Sequence, residues 1–184
     1  MLGPDLRFLE CSPAWDSFAS DNGGRGIYRE EILGKDNRDF IPDVLRKFYM
    51  DKYSLAQSQD SEVEFDYHCS SPERIRLFRM SIKAVEGNLL VVSRLTLEEE
   101  CEIQPPLEQN ERQEYLSAGD FLTLCANCRK ARRNDLHKAW NWVPEFLNET
   151  GLRVSHGLCP RCLTLLYGEV LQPTQCPTHS FPPE

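Results

Sequence analysis

The chain has 184 residues, a formal net charge of −8, 40% hydrophobic residues and eight cysteines. That length suits one domain with an appendage or two small domains, and the acidic balance argues against non-specific nucleic-acid binding as the main task. No apolar run approaches membrane-spanning length, and Met1-Leu2-Gly3-Pro4-Asp5 has neither the basic flank nor the apolar stretch of a signal peptide. A cytoplasmic protein without membrane attachment is therefore expected. In that setting eight cysteines point to metal rather than to disulfides.

In chain order, Leu6 to Glu10 is a candidate first strand. Ser12-Pro13 supplies a hydroxyl cap and a first-turn proline for a short helix with Trp15, Phe18 and Ala19 on one face, ended by Asn22-Gly23-Gly24. Gly26-Ile27-Tyr28 suggests a brief strand, and Arg29 to Leu33 another short helix stopped by Gly34. After Pro42, the residues Leu45, Phe48, Tyr49, Tyr53 and Ala56 recur every three or four positions, which predicts a helix with a buried stripe. Gln57 to Ser61 is a polar loop.

The period then changes to two. Val63, Phe65 and Tyr67 alternate with Glu64, Asp66 and His68 in a half-buried strand that leaves His68 solvated. A turn at Ser70 to Glu73 leads to a second strand, Arg74 to Ala84, with Phe78, Met80, Ile82 and Ala84 on one face. Ile75 and Leu77 are out of phase, which implies a bulge or a half-covered outer face. Leu89 to Leu97 forms a third strand, expected to be central because its start is nearly all apolar. Glu98 to Glu102 closes this region.

Trp15-Asp16-Ser17-Phe18-Ala19, Ile32-Leu33-Gly34-Lys35 leading to Asp39-Phe40-Ile41-Pro42, and Tyr67-His68-Cys69-Ser70-Ser71-Pro72 before Arg74-Ile75-Arg76 together resemble a PAS domain over about residues 5–98. The resemblance implies an α+β fold with a five-stranded antiparallel sheet, helices on one face and a pocket between them. It also implies a sensory role, with a signalling protein or a second copy as partner. The histidines are His68, His137, His156 and His179; none lies between Ser12 and Ala56, where PAS haem sensors carry their axial ligand. The flavin-binding motif of light sensors is also absent from that stretch. Neither haem nor flavin is expected, and a core filled by its own side chains is favoured over a small ligand.

Gln104-Pro105-Pro106 is a stiff break, and Leu107 to Ser117 is charged and helix-compatible, with few core positions. Phe121 to Leu124 then delivers Cys125-Ala126-Asn127-Cys128. The basic turn Arg129 to Arg133 follows, and the apolar mass comes from Trp140, Trp142, Val143, Phe146 and Leu147. Pro144 can start a helix that Gly151 ends. Val154 to Leu158 leads to Cys159-Pro160-Arg161-Cys162 at the start of a last helix. Two such pairs can place four thiolates around one ion. A closed four-sulfur shell suits structural Zn2+, with no position open for a catalytic water. Between Gly119 and Gly168 seven basic residues face four acidic ones, so the remainder of the chain carries −11.

A strand-borne knuckle paired with ligands at a helix start, with Ser155-His156-Gly157 before Cys159, resembles a treble-clef-like zinc module, as in the tails that follow sensor domains in some bacterial signalling proteins. His156 could replace a cysteine as ligand, or hold its ring N–H toward a thiolate or a carbonyl. Cys11, Cys69, Cys101 and Cys176 lack partners at ligand spacing, and Cys176-Pro177-Thr178-His179 is only half a metal site.

The chain therefore divides into a PAS-like sensor domain (1–104), a linker (105–118), a zinc-binding module (119–168) and a flexible tail (169–184). Residues 1–104 are expected to fold without the module. No nucleophile, base and orienting group form a set, and no Gly-rich phosphate loop is present, so no catalytic residue is assigned. The expected function is a non-enzymatic sensory or signalling adaptor. The alternatives are a thiol redox sensor that releases zinc on oxidation and a transcriptional regulator that binds DNA through the basic zinc module.

Overall fold

The computed structural model describes residues 1–22, 24, 26–59, 61–101, 106–135, 138–149 and 151–171. The first half opens with helices α1 (Pro13–Asp21) and α2 (Arg29–Ile32), a 3-10 turn (Asn37–Phe40) and the longer α3 (Asp43–Ser58). Strands β1 (Val63–His68), β2 (Arg74–Val85) and β3 (Asn88–Glu100) follow as an antiparallel meander in the order β1-β2-β3. Glu86 and Gly87 join β2 to β3 with φ of 48° and 80°. Two successive left-handed residues make the tight hairpin that matches strand twist, and glycine takes the second position without strain.

The central strand is β2 rather than β3. The apolar start of β3 has a local cause: Leu2 and Leu89 exchange backbone N–H···O bonds of 2.8 Å each, so Leu89 is fully buried. Leu90 points the other way and stays exposed. The irregularity expected around Leu77 is real. Leu77 pairs with Leu97 and Phe78 with Leu95, which leaves Thr96 as an extra residue whose hydroxyl donates to the Leu77 carbonyl. The acidic end of β3 stays in the sheet because Glu98 binds Arg74 and the buried Arg76.

The five-stranded sheet that the resemblance implies does not form among the described residues of this half: the sheet has three strands, flanked by two isolated bridges. Leu2 bridges Leu89 on one side and Phe8 on the other. Leu6 to Glu10 does not extend into a strand, because Leu6 adopts φ 66° and turns the chain back on Gly3. Gly26-Ile27-Tyr28 is likewise not a strand; Gly26 has φ 77°, and the Ile27 carbonyl accepts the Trp15 indole N–H at 2.5 Å. Asn22 and Gly24 end α1 as expected, whereas Gly23 lies outside the described residues.

Leu45, Phe48, Tyr53 and Ala56 form the buried stripe of α3. Leu45, Tyr53 and Ala56 share a cluster with Val63, Met80, Ile82 and Leu89 on one face of the sheet. Aromatic rings occupy the space between: Phe48, Tyr49 and Phe65 meet edge to face at 5.0–5.7 Å. Tyr53 donates to Asn37 at 2.8 Å and Tyr67 to Ser93 at 3.0 Å, so both hydroxyls are satisfied.

The second half is built on β5 (Phe121–Cys125). β4 (Leu116–Ser117) and β6 (Ala131–Arg132) share one of its edges, β7 (Trp140–Asn141) follows β6, and β8 (Arg153–Gly157) runs parallel along the other edge. Helices α4 (Gln109–Gln113) and α5 (Glu145–Asn148) are short, and α6 (Pro160–Leu171) is the last element. Leu122, Leu124, Ala131, Val143 and Phe146 form its core. Leu107 to Ser117 contributes more than a charged connector: Tyr115 is 6% exposed, and Leu107 and Leu116 pack on the same cluster. Arg112 explains the fit. It binds Glu145 and Glu149 and lies over the Phe146 ring, which ties α4 to α5. The basic run is not a solvated turn throughout, since Ala131 is fully buried in β6.

The two halves share a boundary of side chains. Ala126 belongs to the first core, and Leu158 and Leu166 pack against it. The Phe48 and Tyr167 rings meet at 5.6 Å, and the Tyr167 hydroxyl donates to the Val44 carbonyl at 3.4 Å. Among the described residues no helix is long and apolar enough to cross a membrane.

Ile82 has no exposed surface, whereas Leu97 is 44% exposed on β3. Ile82→Ala should lower the unfolding free energy by about 2–5 kcal/mol, and Leu97→Ala by no more than about 0.5 kcal/mol. Urea unfolding of the two variants checks the contrast.

Candidate metal centre

Cys125 ends β5 and Cys128 lies in the turn that follows. The Cys125 N–H donates to the Lys130 carbonyl at 2.8 Å, and the Arg129 N–H donates to the Cys125 carbonyl at 2.9 Å. Arg129 takes φ 64° to close this knuckle. The Ala126 N–H donates to the Gly157 carbonyl at 2.8 Å, which anchors the turn to β8. Gly157 itself packs closely: a Cβ there would meet the Trp140 ring at 3.6 Å.

Because β8 runs parallel to β5, it delivers the chain to the same end of the sheet as the knuckle. Cys159 follows at once, and Pro160 opens α6 in the position where a missing N–H costs nothing. Cys162 lies in the first turn of that helix, where free N–H groups and the positive end of the helix dipole favour thiolates.

The four sulfurs of Cys125, Cys128, Cys159 and Cys162 lie within 4.8 Å of one another, and all four residues are buried. Cys128 Sγ and Cys159 Sγ are 3.7 Å apart. A tetrahedral ion with metal–sulfur bonds of about 2.3 Å holds its sulfurs roughly 3.8 Å apart, so the spacing fits such an ion. The cluster can bind a metal ion. Trp140 and Leu158 pack against it and exclude water.

Polar groups turn toward the sulfurs. The Cys159 N–H donates to Cys125 Sγ at 3.4 Å and the Cys162 N–H to Cys159 Sγ at 3.5 Å. Hydrogen bonds from the Cys128 and Cys162 thiols pull the Cys125 thiol far below its ordinary value. The bond to Cys125 pushes Cys128 up to about 12, and bonds to Cys125 and Cys128 raise Cys162. A metal ion bound by four cysteines takes them as thiolates, so its binding at such a set releases protons.

Asn127 was not singled out by the sequence. It is 4% exposed, and its amide contacts both the Cys162 sulfur and the backbone of His68. Its place between two cysteines is the one sequence signal that marks it.

His68 is half-buried rather than solvated, because the cysteine unit covers the end of β1. Its Nδ1 is buried and has no hydrogen-bond partner among the described residues. Burial pushes its imidazole below the ordinary value. His156 lies on β8 and is exposed, and the sulfur cluster is complete without it. Among the described residues no hydrogen bond joins its ring to a thiolate. Instead it lines a cleft of about 600 Å³ with Arg129, Asp39, Phe40, Val44 and Arg46. The cleft thus lies between the two halves, not between sheet and helices. Partial desolvation of the ring against the cleft wall lowers the His156 pKa although the residue as a whole is exposed, and Arg129 adds to the effect.

Cys11 and Cys101 are half-buried and Cys69 is exposed; none joins the cluster. Cys176, His137, His179 and the tail segment 172–184 lie outside the described residues, as do Gln104 and Pro105 of the stiff break. No family model, curated protein or solved structure matches the chain.

The His68 ring should titrate below about 6.5, the ordinary histidine value, as followed by its ring C–H signals in NMR. Folding favours the neutral ring, so the unfolded chain takes up more protons and stability falls as pH drops through the unfolded value. His68→Gln should remove that component, seen as a flatter stability difference between about pH 7.5 and about pH 5.5.

Proposed function

We propose that the chain is a non-enzymatic sensory or signalling adaptor: a PAS-like unit joined to a small module organised by a structural zinc ion. The observation that carries this reading is the convergence of four buried sulfurs within 4.8 Å from two segments thirty residues apart in the sequence. Four thiolates are soft donors in a closed set, which suits tetrahedral Zn2+ and leaves no position for substrate or water. Cys125, Cys128, Cys159 and Cys162 would hold the ion. A knuckle after a strand facing ligands at a helix start supports the treble-clef-like reading.

The PAS-like reading draws on three strands extended by the Leu2 and Phe8 bridges, with the buried stripe of α3 on one face and Phe18 of α1 against Phe78. In this reading the sheet unit meets the partner, a signalling protein or a second copy. The ion adds rigidity to a fragment whose apolar core is small. Structural zinc in such modules is worth on the order of 10 kcal/mol at neutral pH, more than a core of this size supplies alone.

Native mass spectrometry of protein purified without added ligand should show one zinc per chain, and a dimer mass would identify a second copy as the partner. Cys159→Ser should abolish stoichiometric zinc, and chelation should shift the emission of Trp140, which packs on the sulfurs. Mild acid should release the metal, because the thiolates must be deprotonated to bind. Protein without stoichiometric metal, whose tryptophan emission ignores chelators, would sink the zinc reading. Low-dose peroxide that ejects zinc, reversed by reductant, would instead establish the redox-sensor alternative.

A further inference from the structure

The Asn127 amide is bonded in two opposite directions. Its Oδ1 accepts the backbone N–H of His68 at 3.0 Å, and its Nδ2 donates to Cys162 Sγ at 3.5 Å. Chemistry sets this orientation: the His68 N–H needs an oxygen to accept it, so the nitrogen must face the sulfur. The residue is 4% exposed, so water cannot replace either bond cheaply.

The place of His68 in the sheet gives the contact its meaning. The N–H of Cys69 points inward and donates to the Arg76 carbonyl at 3.2 Å. Successive residues of a strand alternate direction, so the His68 N–H points outward, from the free edge of β1. Asn127 caps that edge at its last residue. Around it, the Ala126 side chain enters the first core and Leu158 packs against the same core.

We propose that Asn127 is a positioning residue that couples metal occupancy at the cysteine cluster to closure of the β1 edge. The inference rests on the zinc reading above. A bound ion fixes the Cys162 sulfur, the sulfur fixes the Asn127 amide, and the amide holds the end of β1. Binding linkage is reciprocal. A ligand or partner that displaces the end of β1 must therefore weaken metal binding by the factor with which metal opposes that displacement. Beside the apolar contacts at the boundary, Asn127 thus supplies a hydrogen-bonded link from the sulfur cluster to the sheet unit.

The test uses the full-length protein, Asn127→Ala and Asn127→Asp. Zinc affinity is read by competition with a chromogenic chelator, and the His68 amide by hydrogen exchange in zinc-loaded and zinc-stripped protein. Asn127→Ala loses both bonds: zinc should bind about 10–100-fold more weakly, and His68 should exchange at least about tenfold faster even when zinc is bound. Asn127→Asp keeps an oxygen for His68 but sets a carboxylate beside the sulfur. Zinc should weaken by a similar factor while His68 stays protected in the loaded state. Stripping zinc from the unaltered protein should expose the His68 amide while amides in the middle of β2 hold. Should the alanine variant fail to fold, the aspartate variant and the stripped protein decide the matter. Zinc affinity within twofold of the unaltered protein in the variants that fold, or His68 protection indifferent to stripping, overturns the proposal. Metal content, measured separately, shows which reading failed: one zinc per chain with an indifferent His68 rejects the coupling alone, and no zinc rejects both.

Discussion

Four cysteine sulfurs packed within 4.8 Å and shielded from water are the constraint on which the C-terminal half depends. Sulfur has no hydrophobic reason to cluster in fours at this spacing, and unscreened thiolates repel one another strongly in a low-dielectric site. The surroundings are built for negative charge. Backbone N–H groups of Cys159 and Cys162 face sulfur, the first turn of α6 adds its dipole, and Asn127 adds an amide donor. Such an arrangement makes sense around a cation. It also explains why β8 is parallel to β5: only a parallel return carries the second pair to the same end of the sheet as the first.

The cysteine unit is also part of the first core's wall. Ala126 and Leu158 adjoin cysteines of the cluster in the chain and Leu166 lies one helical turn after Cys162, yet their side chains pack on the α3–sheet core. The Phe48–Tyr167 contact extends this boundary along α6. Residues that form the sulfur cluster and residues that close the sheet unit therefore lie along the same short segments. A change that loosens the sulfurs must loosen that boundary as well, because neither segment can move one set of side chains without the other.

Much of this was legible in the sequence, for identifiable reasons. The stripe of α3, the alternation of β1 and the two cysteine pairs are strong local patterns with fixed periods or spacings, and the structure forms each of them. Ile75 and Leu77 marked an irregular place in the sheet, and both are half-covered there, although the extra residue of the bulge is Thr96 on the partner strand β3. What stayed hidden was non-local. Leu89 is buried by Leu2 from the far end of the chain, so the apolar start of β3 mimicked a central strand. Leu107 to Ser117 looked merely charged, because the partners of Arg112 lie more than thirty residues away. His68 looked solvated because nothing in its own strand shows that Asn127 will arrive at its N–H.

The two edges of the first sheet are handled in different ways. An open strand edge invites pairing with other chains, and proteins blunt it with charge, bulges or a cover. The β3 edge has Leu2 at one residue, an extra residue at Thr96, and the charged Arg94, Glu98, Glu99 and Glu100 beyond. The extra residue and the charges belong to the strand itself, and Leu2 is held to it by backbone hydrogen bonds, so none of these devices involves the cysteine unit. The β1 edge is short, and the Asn127 amide, held in turn by a sulfur of the cluster, closes its end. Its protection is therefore conditional on the order of the cysteine unit, whereas that of β3 is built in.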